Sequence, residues 1–153
     1  MNLKLFVVGF FITYSCFCMD SPTIKKIIFV VGPAGSGKTT AAAVFANENS
    51  QCCAHYSIGN LLREKAKEKS DLGVLIKGYL DRADIVPLEV GMRVVEHALL
   101  SESKLLILID GFPPTIEYMD AFEALMGVHT SIKLLGAIAF EIDQNVAEER
   151  VLG

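Results

Sequence analysis

The 153-residue sequence has no tryptophan, five prolines, four cysteines and four arginines, and each scarcity closes off a class of protein. The cysteines fall as Cys16, Cys18 and the adjacent Cys52 and Cys53, without a C-x-x-C pair, so neither a zinc site nor a thioredoxin-type dithiol is encoded. Cys52 and Cys53 read instead as small hydrophobes in a buried strand. The arginines are scattered (Arg63, Arg82, Arg93 and Arg150), and 14 basic against 18 acidic side chains leave a net charge of −4. No basic stripe is present, which argues against a nucleic-acid partner. Twelve glycines and five prolines in a chain that is 52% hydrophobic are too few for a disordered polypeptide. His55, His97 and His129 lack metal-ligand spacing and read as structural or exposed. There is no internal repeat and no low-complexity linker, and the length suits one domain.

Residues 1–19 stand apart. Lys4 precedes an almost unbroken apolar run from Leu5 to Met19. Such a run is short for a membrane span and reads as a signal peptide or membrane leader. Its end, Thr-Tyr-Ser-Cys-Phe-Cys, is not a small-x-small cleavage pattern, which keeps an uncleaved appendage or a misassigned start as the alternative. Any membrane contact is expected through this leader alone.

Beyond it, strands and helices alternate. Ile27–Val31, Cys52–Tyr56, Leu105–Ile109 and Leu134–Ile142 are apolar runs of strand length. Helices are expected over Thr39–Asn49, Asn60–Glu68, Asp71–Arg82, Leu88–Leu100, Ile116–Met126 and Gln144–Leu152. Asn60 and Asp71 are the candidate caps, and Pro87 is expected in a first helical turn. This alternation predicts an α/β fold, a parallel sheet with helices on both faces. The helix-rich stretch from Asn60 to Leu100 lies between the second and third strands.

Between the first strand and its helix lies Gly32-Pro33-Ala34-Gly35-Ser36-Gly37-Lys38-Thr39, an intact G-x-x-x-x-G-K-[ST] motif in the strand–helix context of a P-loop. Its glycines let successive backbone N–H groups turn inward around phosphate oxygens, and the following helix aims its positive end at the same anion. Lys38 is placed to reach the β- and γ-phosphates and the Thr39 hydroxyl to ligate Mg²⁺. Gly32, Gly35, Ser36, Gly37, Lys38, Thr39 and Thr40 are therefore the candidate nucleotide-phosphate site. The plainer reading is an ordinary glycine-rich turn. Asp110 ends the third strand at the carboxyl edge, where open α/β sheets bind ligands, and can hold Mg²⁺ or its waters. Its plainer reading is a turn aspartate before Gly111. Asp84 and Glu89 read as surface charges.

With these residues, the chain from Ile27 to Gly153 resembles adenylate kinase and its nucleoside monophosphate kinase relatives. The P-loop, Ser57-Ile58-Gly59-Asn60-Leu61-Leu62-Arg63, Ile85-Val86-Pro87-Leu88-Glu89 and Asp110-Gly111-Phe112-Pro113 carry the resemblance in the family's order. Glu148-Glu149-Arg150-Val151-Leu152-Gly153 is similar to the helix that leads into the family's lid. The resemblance implies a P-loop NTPase-like domain over residues 24–153, with four strands present and a fifth expected. It makes residues 60–100, approximately, a monophosphate-binding insert. The implied reaction is phosphoryl transfer from ATP to a nucleoside monophosphate, AMP foremost, with Mg²⁺ and without a covalent enzyme intermediate. Small nucleotides are the implied partners, and a full-length chain is expected to be a monomer. Residue by residue, Lys38 and Arg63 become the catalytic pair, Arg63 gripping the acceptor phosphate with a bidentate guanidinium. Gly59, Arg63, Val86 and Gly111 become acceptor contacts, Val86 through its backbone to the base, and Arg150 lies against the ATP adenine. Arg63 and Arg150 also have plainer readings as solvated helix arginines.

The chain departs from the family pattern at several positions. Pro114 stands where a second acceptor-phosphate arginine is expected, Tyr118 where adenylate kinase carries an adenine-reading glutamine, and Ile58 where it carries threonine. Asn60 replaces an aspartate, Ala83 a loop glycine, and Thr39 the glycine after the P-loop lysine. A charge-assisted hydrogen bond is worth about 1.5–3 kcal/mol, so the arginine missing at Pro114 costs roughly ten- to a hundredfold. The sequence also stops at Gly153, where the resemblance expects an arginine, the lid, and a last strand and helix; it is read as a fragment or a degenerate relative. Three functions stay open: a nucleoside monophosphate kinase, a nucleotide-binding but catalytically silent remnant, and another P-loop phosphotransferase with a different small acceptor.

Overall fold

The computed structural model describes residues 24–143 and Val146. The leader read at 1–19 and Arg150 lie outside the described residues, as does the final helix read at Gln144–Leu152 apart from Val146. Strand β1 (Lys25–Val31) leads through the glycine-rich loop into α1 (Lys38–Glu48) and then β2 (Cys53–Ser57). Helices α2 (Ile58–Ala66), α3 (Asp71–Asp81) and α4 (Leu88–Ser101) precede β3 (Leu106–Asp110), and α5 (Ile116–Val128) precedes β4 (Ile132–Ala139). The strands form one sheet in the order β2-β3-β1-β4, every pair parallel. The expected α/β architecture, a parallel sheet covered on both faces, is the one observed.

The sheet is covered because its central strands are apolar on both sides. Alternate residues of β1 and β3 face opposite ways. Val30 and Leu108 join Cys53 under Ala42 and Ala46 of α1, whose short side chains let that helix lie close to the sheet. Ile27, Phe29, Ile107 and Ile109 face the other way, onto α4 and α5, and form the main core with Val95, Leu99, Phe112, Phe122 and Leu125. Phe29 meets Phe112 and Phe122 at ring-centroid distances of 5.4 and 5.1 Å, in the tilted and edge-on arrangements that aromatic quadrupoles favour. A smaller cluster of Ile76, Val86 and Val94 holds α2 and α3 against α4.

Several element ends differ from the sequence expectation, mostly through capping. Ser57, not Asn60, is the N-cap of α2, and the Asn60 side chain is used by Arg63 instead. Ser70, not Asp71, caps α3, accepting from the Gly73 N–H at 3.1 Å. Asp71 follows in the first turn, where its charge suits the helix dipole. Pro87 is the N-cap of α4 rather than part of its first turn. β3 runs through Asp110, and β4 starts at Ile132 because pairing with Lys25 sets its register. Of the adjacent cysteines, only Cys53 lies in a strand and is buried, and burial, with the neighbouring Cys52, pushes its thiol up to about 11. Cys52 is half-buried just before β2. Among the described residues, no helix is long and apolar enough to cross a membrane.

The end of α3 carries a strained residue. The Ala83 N–H donates to Leu80 O at 3.0 Å and the Asp84 N–H to Tyr79 O at 3.0 Å, the paired bonds of a Schellman cap. That cap needs a left-handed residue, and here it is Ala83 at φ 56°. A Cβ in that conformation costs roughly 1–2 kcal/mol, part of which glycine would return to unfolded-chain entropy. Ala83→Gly is therefore expected to stabilise the protein by about 0.5–1 kcal/mol, a rise of roughly 1–4 °C in Tm. An unchanged or lower melting temperature in a calorimetric scan would contradict this account of the turn.

Candidate active site

The site begins with strand register. β1 and β3 pair so that Val30 lies beside Asp110, which brings the carboxylate to the start of the glycine-rich loop. The loop's first residue, Gly32, has φ 150°, and an ideal Cβ there would stand 2.6 Å from the Phe140 carbonyl oxygen. Only glycine lets the chain pass between β4's extension and the loop. At the other end Gly37, at φ 81°, is the N-cap of α1. This helix has neither a side-chain cap nor an acidic residue in its first turn. The first-turn amides of a helix have no intrahelical acceptor, so this end suits an external anion. A cavity of about 370 Å³ opens here, lined by Gly35, Gly37, Lys38, Thr39 and Thr40.

Inside the cavity's wall, Lys38 Nζ donates to Pro33 O at 3.2 Å, so the ammonium is folded across the loop. Thr39 Oγ1 donates to Asp110 Oδ2 at 2.5 Å. Asp110 is only 2% exposed, and its Oδ1 has no hydrogen-bond partner among the described residues. The buried Ser36 Oγ also lacks one. A buried carboxylate oxygen with nothing to bind is costly, and it marks a place where a cation or its water fits. No group of three or more His, Cys, Asp or Glu side chains able to hold a metal occurs among the described residues. One carboxylate and one hydroxyl beside a phosphate cradle do suit Mg²⁺, which takes few protein ligands and completes its shell with phosphates and water.

His55, read from the sequence as structural or exposed, lies on β2 beside the site. Ser57 pairs with Asp110, so His55, two residues earlier on β2, shares the face of that carboxylate. Its Nε2 is also buried without a partner among the described residues. Burial holds the imidazole below its usual pKa, and the Asp110 charge pulls it part of the way back.

On the helical side, Arg63 Nη2 donates to Asn60 Oδ1 at 2.7 Å and lies 3.2 Å from where a Gly59 Cβ would be. The guanidinium thus folds back over the first turn of α2, and Gly59 leaves it room. Gly111, at φ 74°, turns the chain out of β3 immediately after Asp110. Val86 is 3% exposed, and its carbonyl already accepts the Tyr118 hydroxyl at 2.7 Å. Thus the P-loop residues, Asp110 and Gly111 come together at one sheet edge, Gly59 and Arg63 meet on α2, and Val86 is engaged by Tyr118. A larger crevice of about 710 Å³ lies between α2 and α4, near Leu61, Glu68, Arg93 and His97, but it includes none of the loop residues.

The family model described as adenylate kinase matches residues 30–153. The chain belongs to the adenylate kinase family. The adenylate kinase of a Nitratiruptor species is 42% identical over 130 residues, covering 85% of this chain and 67% of that protein. That of Nautilia profundicola is 41% identical over 130 residues, covering 85% and 68%. That of a Helicobacter pylori strain is 38% identical over the same length and the same shares. This adenylate kinase-family chain is accordingly an enzyme of the nucleoside monophosphate kinase class.

The Thr39–Asp110 contact can be tested without a substrate. Thr39→Val keeps the side chain's shape and leaves the carboxylate without its donor. Hydrogen bonds to charged groups contribute about 1.5–3 kcal/mol, so the variant should lose about that much stability in urea unfolding. Equal midpoints and slopes for the two proteins would show that the contact contributes nothing in solution.

Proposed function

We propose that this chain transfers a phosphoryl group from ATP to a nucleoside monophosphate, with AMP as an acceptor and Mg²⁺ as the required ion. The observation that carries the proposal is the glycine-walled cavity at the N-terminus of α1, with Lys38 on its wall and the Thr39–Asp110 pair beneath it. Membership of the adenylate kinase family supports the same reaction.

The residues divide the work. Loop amides between Ala34 and Thr40 and the positive end of α1 bind the donor phosphates, Gly32 giving the chain its turn. Lys38 exchanges the Pro33 carbonyl for phosphate oxygens, a stronger charge-assisted contact. Thr39 and Asp110 would hold Mg²⁺. When bound, that ion neutralises the β- and γ-phosphate oxygens as charge shifts between them. On the acceptor side Arg63 grips the monophosphate. Its Asn60 partner is a neutral amide that holds the guanidinium in place without cancelling its charge. Gly59, Val86 and Gly111 complete the acceptor contacts, and Arg150 is assigned to the ATP adenine. Residues 24–153 form the kinase domain in this reading, with the helices of about residues 60–100 as the monophosphate-binding insert. No covalent intermediate is needed, because positioning and charge neutralisation account for most of the catalysis in phosphoryl transfer.

Formation of ADP from ATP and AMP in a coupled assay tests the reading directly. Lys38→Ala should lower kcat by about 10²–10³, the effect of removing one pre-placed electrostatic donor, with the circular dichroism unchanged. Chelation of Mg²⁺ should stop turnover and its return restore it. ATP binding with no turnover on any nucleoside monophosphate would make the chain a silent nucleotide binder. Arg63→Ala should raise KM for the monophosphate by roughly ten- to a hundredfold while leaving KM for ATP unchanged, since it removes one charge-assisted bidentate contact. A parallel rise in both constants would remove Arg63 from the acceptor site.

A further inference from the structure

Tyr118 sits in the first turn of α5 and is 5% exposed. Its ring packs edge-on against Phe112, with centroids 5.9 Å apart, and belongs to the main core. The hydroxyl leaves that core and donates to Val86 O at 2.7 Å, with Pro87 O at 3.2 Å. Burial raises the phenol's pKa, so the group stays a donor. The ring has little freedom to swing away. An ideal Cβ on Gly91 of α4 would lie 2.1 Å from Tyr118 Oη and 2.8 Å from its ring carbon Cε1, so the helix backbone stands directly against the phenol.

This arrangement removes hydrogen-bonding groups from one end of the acceptor site. A free backbone carbonyl can tell bases apart by accepting from an exocyclic amine. One lone pair of the Val86 carbonyl is taken by the phenol, and burial of the residue to 3% exposure leaves a ligand little access to the other. Tyr118 has one hydroxyl, already committed, and so lacks the paired donor and acceptor that an amide side chain would offer a base edge. A site that hydrogen-bonds its substrate can reject analogues by roughly 10⁴–10⁵, whereas shape and apolar contact alone give about 10–200-fold.

We propose that Tyr118 closes the base-reading edge of the acceptor site, so that this chain selects its acceptor by the monophosphate and accepts purine and pyrimidine nucleotides alike. The inference rests on the proposed reading of Val86 as the contact to the acceptor base. AMP is then one acceptor among several.

Calorimetric titration of the whole chain with AMP, GMP, CMP and UMP, beside turnover on each, tests it. Affinities and kcat/KM for the four should agree within about tenfold. Tyr118→Phe removes the donor from Val86 O and should raise the preference for AMP over UMP, which lacks an exocyclic amine, by roughly two- to tenfold. Tyr118→Gln shortens the side chain, uncovers Val86 O and supplies an amide, and should favour AMP over the pyrimidine nucleotides by tenfold or more. A wild-type preference for AMP above about tenfold overturns the inference and leaves the kinase reading intact. Failure of all four to bind while ATP binds overturns the acceptor-site reading and this inference with it. Should Tyr118→Gln fail to fold, the wild type and Tyr118→Phe still decide the matter.

Discussion

The hydrogen bond from Thr39 to Asp110 joins the two halves of the proposed donor site, and the surrounding architecture keeps those residues together. Thr39 belongs to a helix that can start only where Gly37 adopts a left-handed conformation. Asp110 belongs to a strand whose register against β1 sets it next to Val30. A one-residue slip of β3 would turn Asp110 to the opposite face and exchange Leu108 with Ile107 and Ile109 between the two packed layers. The apolar residues that hold the register, Ile107 and Ile109 on one face and Leu108 on the other, therefore also place the carboxylate. Packing and chemistry share the same constraint here.

Donor and acceptor sides are built by different means. The proposed donor side uses backbone: Gly32, which passes where a Cβ would collide, a helix end without a side-chain cap, and buried polar atoms without partners among the described residues. Such a site is stiff and ready for an anion, at some cost to stability in the free protein. The acceptor side uses side chains on helices that have their own small core of Ile76, Val86 and Val94. Some of its polar groups already have partners, Arg63 in Asn60 and Val86 in Tyr118. A ligand there must exchange existing bonds or do without them, which favours recognition through the strongest available contact, the phosphate.

Much of this was legible before the fold was seen, and the legible parts are local. The P-loop can be read from eight consecutive residues because its function lies in their backbone. The strands of the sheet announce themselves as apolar runs, and Asp110 is visible as the charge that ends one. The errors were local too, but competitive. Ser57 and Ser70 each stand within three residues of another good cap; Ser70 is chosen by the bond it accepts from Gly73, and Ser57 by where β2 ends and the helix begins, without a side-chain bond. The extent of β4 was set by pairing with Lys25, a partner more than a hundred residues away in the chain.

By itself, the sequence determined the alternation of strands and helices, the phosphate-binding loop and the apolar faces that form the sheet's two layers, because each depends on residue type at short spacing. Only the tertiary structure decided which polar groups are already spoken for. Tyr118 and Val86 are 32 residues apart, Thr39 and Asp110 71 apart. Nothing in the local pattern tells that one carbonyl is capped while one carboxylate oxygen is left without a partner. Those outcomes follow from long-range packing, where burial removes water and leaves each polar atom with whatever donor the fold brings to it.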